Sequence, residues 1–193
     1  MKNQKLHKLV LIAVMSAIST VIYLIFPEIP LVPGVDYLKL DFSDIPALVA
    51  SFTAGPSAGI GVEVIKNALH LFRTTTVGIG EIMNIGIGSA MVLSLSLFSK
   101  LFARIMKKDK MHAGVYYTSA VCTLAVTVFA GWLCNAVFTP VYFWLMGIEG
   151  TPAMVFAGVW GSTALNVVKA AFNILPFYPL YYAVNRVFSK INH

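Results

Sequence analysis

Apolar positions along this chain gather into long runs broken by short polar or glycine- and proline-containing stretches. Four runs, Leu9–Phe26, Gly86–Phe102, Tyr116–Leu145 and Ala164–Val187, have the length of a membrane-crossing helix, about 17–25 residues. A less regular stretch lies between Ile45 and Phe72, interrupted by GPSAG at 55–59. Proline and glycine in succession mark a turn, so the pattern predicts two short helices there, Ile45–Ala54 and Ser57–Phe72. The first of them is short for a complete crossing. The expected architecture is all-α: an integral membrane protein with six transmembrane helices in one domain, 1–193, and both termini on the cytoplasmic side. Basic residues precede the first apolar run, as in a signal peptide. However, no clear small-residue cleavage site follows, which favours a retained first helix.

Composition strengthens this picture. Apolar residues make up 58% of the chain and charged ones 11%, against about 25% charged in ordinary soluble domains. The mean hydropathy is +0.80. One core cannot hide so much apolar surface in a chain of this size, so lipid is the natural solvent.

The net charge of +6 reads as topology once its placement is considered. Lys2, Lys5, Lys8, Lys100, Arg104, Lys107, Lys108, Lys110, Arg186 and Lys190, ten of the fourteen basic residues, fall on one side of a six-helix arrangement. An excess of lysine and arginine marks the cytoplasmic side. No groove-reading motif accompanies the charge, so nucleic acid is not an expected partner. Cys122 and Cys134 lie twelve positions apart in one predicted helix, about 18 Å along its axis. That is too far for a disulfide, which needs Cα atoms about 4.4–6.8 Å apart. No Cys/His spacing reads as a metal site.

The candidate chemistry lies inside the apolar segments. On the last helix, Asn166, Lys169 and Asn173 share a stripe about 60° wide at 100° per residue. A lysine at mid-membrane costs about 2.5–3.5 kcal/mol on insertion scales and faces the bundle interior or a wet cavity. Asparagine offers donors and an acceptor, lysine three donors. The set suits a planar ligand rich in carbonyls and ring nitrogens, and the competing reading is polar bonding between helices. On the third helix, Glu63, Lys66, Asn67 and His70 fall within one arc, with Glu63 and Lys66 placed to pair at i,i+3. A buried network, a ligand contact and a proton relay are all open there.

Glu81 and Asn84 begin the fourth helix near the outer end and suit ligand hydroxyls. Asn135 stands between Trp132 and Phe138 and fits either packing or binding. Ala13, Ser16, Ala17 and Thr20 give the first helix a face of small residues, suited to close packing or to docking on another membrane protein. The chain has no nucleophile–base motif, no zinc motif and no G-x-x-x-x-G-K-[ST] phosphate loop, so it is not expected to be an enzyme.

The run YLKLDFSDIPALVASFTAGPSAGIGVEVIKNALHLF at 37–72, with GEIMN at 80–84 and NVVK at 166–169, resembles the riboflavin-specific substrate-binding (S) component family of energy-coupling factor (ECF) vitamin transporters. The likeness extends over essentially the whole chain. It implies riboflavin as a transported ligand rather than a cofactor, captured from outside. Asn135, Asn166 and Lys169 would then meet the flavin ring edge, and Glu81 and Asn84 the ribityl chain. Leu38, Lys39 and Leu40 would close over the ring. Ala13 and Ala17 would dock on the transmembrane coupling (T) subunit, and two cytoplasmic ATPase subunits would supply the energy. The vitamin, or water entering from outside, would satisfy the Lys169 ammonium. An S component for another vitamin, an ion-coupled carrier using Glu63 and Lys66, and a purely structural subunit are the alternatives.

Overall fold

The computed structural model describes residues 2–25, 29–30, 39–40, 42–74 and 76–191, with side chains described for 5–25, 42–74 and 76–183. Its elements are α1 (Lys2–Ile25), β1 (Ile29–Pro30), β2 (Lys39–Leu40), α2 (Ile45–Ala54), α3 (Pro56–His70), a 3-10 turn (Leu71–Arg73), α4 (Ile79–Met106), α5 (Ala113–Leu145) and α6 (Pro152–Ile191). Helices dominate, and α1, α4, α5 and α6 are long and apolar enough to cross a membrane. The all-α expectation for the fold class holds, with one two-residue pairing beside the helices. β1 and β2 pair antiparallel, Ile29 opposite Leu40 and Pro30 opposite Lys39. Proline has no amide hydrogen to extend such a ladder.

The two short helices have a different task from the long ones. At 1.5 Å per residue, α2 is about 15 Å long and α3 about 22 Å. They form a hairpin around Gly55, whose φ of +94° glycine adopts without steric cost. Pro56 follows at the start of α3, where its missing N–H is no loss. α2 packs against α1, α3, α4 and α6, so its backbone ends inside protein rather than in lipid. That satisfies the requirement that no open backbone face the hydrocarbon. Ala47, Leu48 and Ala50 of α2 are completely buried at the core centre, with Ala58 and Val62 of α3 and Met91, Val92 and Leu95 of α4.

Close approach within this trio rests on Gly59. A Cβ there would stand 2.6 Å from the Ala47 carbonyl oxygen and 2.6 Å from Val92 Cγ1. α5 and α6 close the other side. Tyr116 Oη donates to the Ile174 carbonyl over 2.5 Å and Tyr182 Oη to the Met111 carbonyl over 2.7 Å. Side chains such as Leu97, Val121, Phe129 and Leu133 point outward, as a lipid-facing surface allows.

Two boundaries differ from the apolar runs. α6 begins at Pro152, twelve residues before Ala164. The small and apolar sequence 152–163 continues a helix without a strong breaker, and Pro152 fits a helix start. α4 begins at Ile79, where Thr76 Oγ1 accepts from the Gly80 amide over 3.1 Å. The small face of α1 divides: Ser16 and Thr20 are buried, whereas Ala13 and Ala17 are exposed. Cys122 and Cys134 are free.

Gly59→Ala is expected to lower stability by about 1–3 kcal/mol through overpacking. Gly61→Ala should be nearly neutral, because its added carbon meets Ile12 Cγ2 at an ordinary 3.5 Å. Thermal unfolding in detergent measures both, and equal midpoints would contradict the close-approach argument.

Candidate binding site

The lysines of α3 and α6 converge on one carboxylate. Asp44, at the start of α2, is 4% exposed. Its Oδ1 receives Lys66 Nζ, and its Oδ2 lies 3.9 Å from Lys169 Nζ. The Glu63 carboxylate completes the group, 2.8 Å from Lys66 Nζ as the i,i+3 spacing predicts. Each desolvated charge costs several kcal/mol unless its partners repay it. Here two acids and two lysines are brought together. Glu63 lies against α4 at Gly88, where a Cβ would come within 2.5 Å of Oε2.

From this centre a polar chain runs to the far end of α3. Lys169 Nζ donates to Asn84 Oδ1 over 3.2 Å, and Asn84 Nδ2 donates to Tyr23 Oη over 3.0 Å. The Tyr23 ring stacks on His70, with centroids 3.9 Å apart and planes inclined by 19°. His70 Nδ1 lies 2.8 Å from Glu81 Oε1, and Glu81 Oε2 accepts from Thr74 over 3.0 Å and from Thr76 over 3.3 Å. Glu81 occupies the first turn of α4, where the helix dipole favours a negative charge. Five helices, α1, α2, α3, α4 and α6, thus meet through one connected set of charged, amide and phenolic groups.

The asparagines of α5 and α6 form a neighbouring corner. Asn135 Nδ2 donates to the Gly131 carbonyl over 2.7 Å. Asn166 lies directly on Gly131, in space that any side chain there would occupy. Asn166 is one turn from Lys169, so the corner adjoins the polar chain along α6. Asn173 is buried on the same stripe and donates to the Lys169 carbonyl over 3.0 Å. The predicted residues Asn84, Asn135, Asn166 and Lys169 therefore meet on the inner faces of α4, α5 and α6. Glu81 sits further along, held by His70 and the threonines. Leu38 lies outside the described residues. Lys39 and Leu40 are described only in backbone, as β2.

One expectation is corrected. Lys169 does not depend on a ligand or water for its countercharge, because Asp44 supplies it. The acid was missed because the apolar pattern placed residue 44 in a connecting loop. The start of α2 instead lies deep in the bundle, and three elements distant in sequence meet there. Tyr23 was missed too, reading as one more apolar residue of α1. The pairing of acids with interior lysines was the available signal, since Asp44, Glu63 and Glu81 are all buried.

Comparison with known proteins gives a consistent assignment. The family described as "ECF transporter, substrate-specific component" matches residues 7–181. The riboflavin transporter FmnP of Bacillus subtilis (strain 168) is 32% identical over 173 residues, covering 86% of this chain and 85% of that protein. The riboflavin transporter RibU of Lactococcus lactis subsp. cremoris (strain NZ9000) is 28% identical over 191 residues, covering 93% and 88%. A solved structure, described as the S component of a bacterial ECF transporter, superposes with a TM-score of 0.74 at 27% identity, over 95% of this chain and 98% of that one. On the extent of the family match and the similarity of the whole fold, this chain belongs to the substrate-specific components of ECF transporters.

Proposed function

We propose that this chain binds riboflavin and delivers it inward as the substrate-binding subunit of an ATP-driven importer in a bacterial plasma membrane. The observation that carries the reading is the convergence of Asn84, Asn135, Asn166 and Lys169 on the inner faces of three helices. Amide and ammonium donors fit the carbonyl and ring-nitrogen acceptors of a flavin. The riboflavin named for the relatives supports the same ligand.

In this reading Asn135, Asn166 and Lys169 take the ring edge, and Asn84 and Glu81 take the ribityl chain. The hydroxyls now on Glu81 come from Thr74 and Thr76, so ribityl hydroxyls exchange like for like. The lysines at the centre already stand beside acids, which suits an uncharged vitamin because its binding adds no further charge to the interior.

The remaining parts follow from the family. Six helices with both termini inside place Lys100, Arg104, Lys107, Lys108 and Lys110 on the cytoplasmic face. The exposed Ala13 and Ala17 offer a smooth strip for the coupling subunit, which joins two ATPases. Membership of a substrate-specific component family accords with binding rather than catalysis by this chain.

The protein purified from riboflavin-fed cells should be yellow and retain flavin fluorescence through gel filtration. Lys169→Ala or Asn166→Ala should weaken flavin binding at least tenfold, and an unchanged titration would remove that residue from the site. Ala13→Trp with Ala17→Trp should leave flavin binding intact while abolishing uptake in cells. Lost binding with normal assembly into the transporter would reverse the docking assignment.

A further inference from the structure

Asp44 begins α2 but makes no side-chain bond to its own helix. Its carboxylate is directed instead toward two lysines, with one oxygen facing each. The backbone that carries it is pinned from several sides. Ser19 Oγ of α1 donates to the Ser43 carbonyl, and the Ile45 amide donates to the Phe42 carbonyl over 3.2 Å. The Phe42 ring meets Phe172 of α6 edge-on, with centroids 5.9 Å apart. Lys66 then fixes the carboxylate from the α3 side. Asp44 is therefore among the most firmly located charges in the bundle.

Lys169 contrasts with it. A lysine side chain is long and flexible, with about 2 kcal/mol of rotamer entropy, and its ammonium could point to many places. The 3.9 Å separation from Asp44 exceeds hydrogen-bond length. Attraction across it acts on the ammonium as a whole. Asn84 Oδ1, at 3.2 Å, defines a second direction.

We infer that Asp44 is a positioning residue for substrate binding: its carboxylate, anchored by Lys66, aims the Lys169 ammonium at the acceptor atoms of the ligand. Lys66 has two effects. It orients the carboxylate, and it shares the negative charge that Asp44 presents to Lys169. The same arrangement explains why an uncapped aspartate stands at a buried helix start. The inference rests on the proposed flavin site and adds to it a residue that need not touch the ligand.

A double-mutant cycle on the full chain in detergent tests it, with riboflavin as the probe and fluorescence quenching as the readout. Lys169→Gln keeps an N–H donor but has no charge for Asp44 to attract. In the wild-type background, Asp44→Asn should weaken riboflavin binding about tenfold. In the Lys169→Gln background the same change should weaken it less than twofold, because interacting residues are non-additive. Equal factors in both backgrounds, or no effect of Asp44→Asn on wild type, would overturn the inference and leave Asp44 a structural residue.

Because Asp44→Asn removes a carboxylate from Lys66, the cycle is repeated with Asp44→Asn/Lys66→Met, which removes the ion pair as a unit. Dependence on Lys169 in that set supports the inference even if the single variant does not fold, and additivity there overturns it. A wild-type protein that folds but binds no riboflavin would overturn the flavin reading itself, and this inference with it. That outcome is distinct from normal wild-type binding with an additive cycle.

Discussion

The meeting of Lys66 and Lys169 with Asp44 and Glu63 is the constraint around which the bundle is arranged. An isolated ammonium or carboxylate is untenable in an apolar interior, where desolvation outweighs most single contacts. The four groups come from α2, α3 and α6, so no pair of adjacent helices can satisfy them. α2 must start in the middle of the bundle for Asp44 to reach both lysines. Its shortness, an oddity for a membrane helix, follows from that need.

The packing that permits the arrangement is correspondingly close. Gly59 lets α3 approach α2 and α4, Gly88 leaves room for the Glu63 carboxylate, and Gly131 leaves room for Asn166. In a membrane, association between helices depends on van der Waals contact and polar bonds, since lipid is as apolar as the side chains it replaces. Glycine at these three contacts serves both. It brings backbones together, and it seats a polar side chain on the bare surface of the next helix.

Function uses the same economy. The chain of contacts from Asp44 through Lys169, Asn84, Tyr23 and His70 to Glu81 mixes charged groups with amide, phenol and hydroxyl groups. The lysines of this interior stand beside acids. The amides of Asn84, Asn135 and Asn166 add donors and acceptors without adding charge. An interior of this kind can exchange partners with an uncharged, polar, planar molecule while its own electrostatic balance stays as it was. That property suits a protein whose role in an ECF transporter is to select the substrate.

The apolar runs were enough to reveal a membrane protein and its helices, because the hydrocarbon imposes length and composition directly on the sequence. The break at Gly55–Pro56 marked the α2–α3 hairpin for the same local reason, and helical spacing alone put Glu63 beside Lys66 and put Asn166, Lys169 and Asn173 on one stripe. What the periodicity could not supply was the partner of each polar stripe. Asp44 immediately precedes α2, 125 positions before Lys169 in the chain, and nothing local announces that the two meet. Tyr23 likewise reads as one more apolar residue of α1 until His70 is stacked on it and Asn84 bonded to it. A sequence records which side chains need a partner, because burial of charge and amide is costly everywhere. The tertiary structure decides which partner they receive, because that depends on how far each helix reaches and which backbones glycine allows to touch.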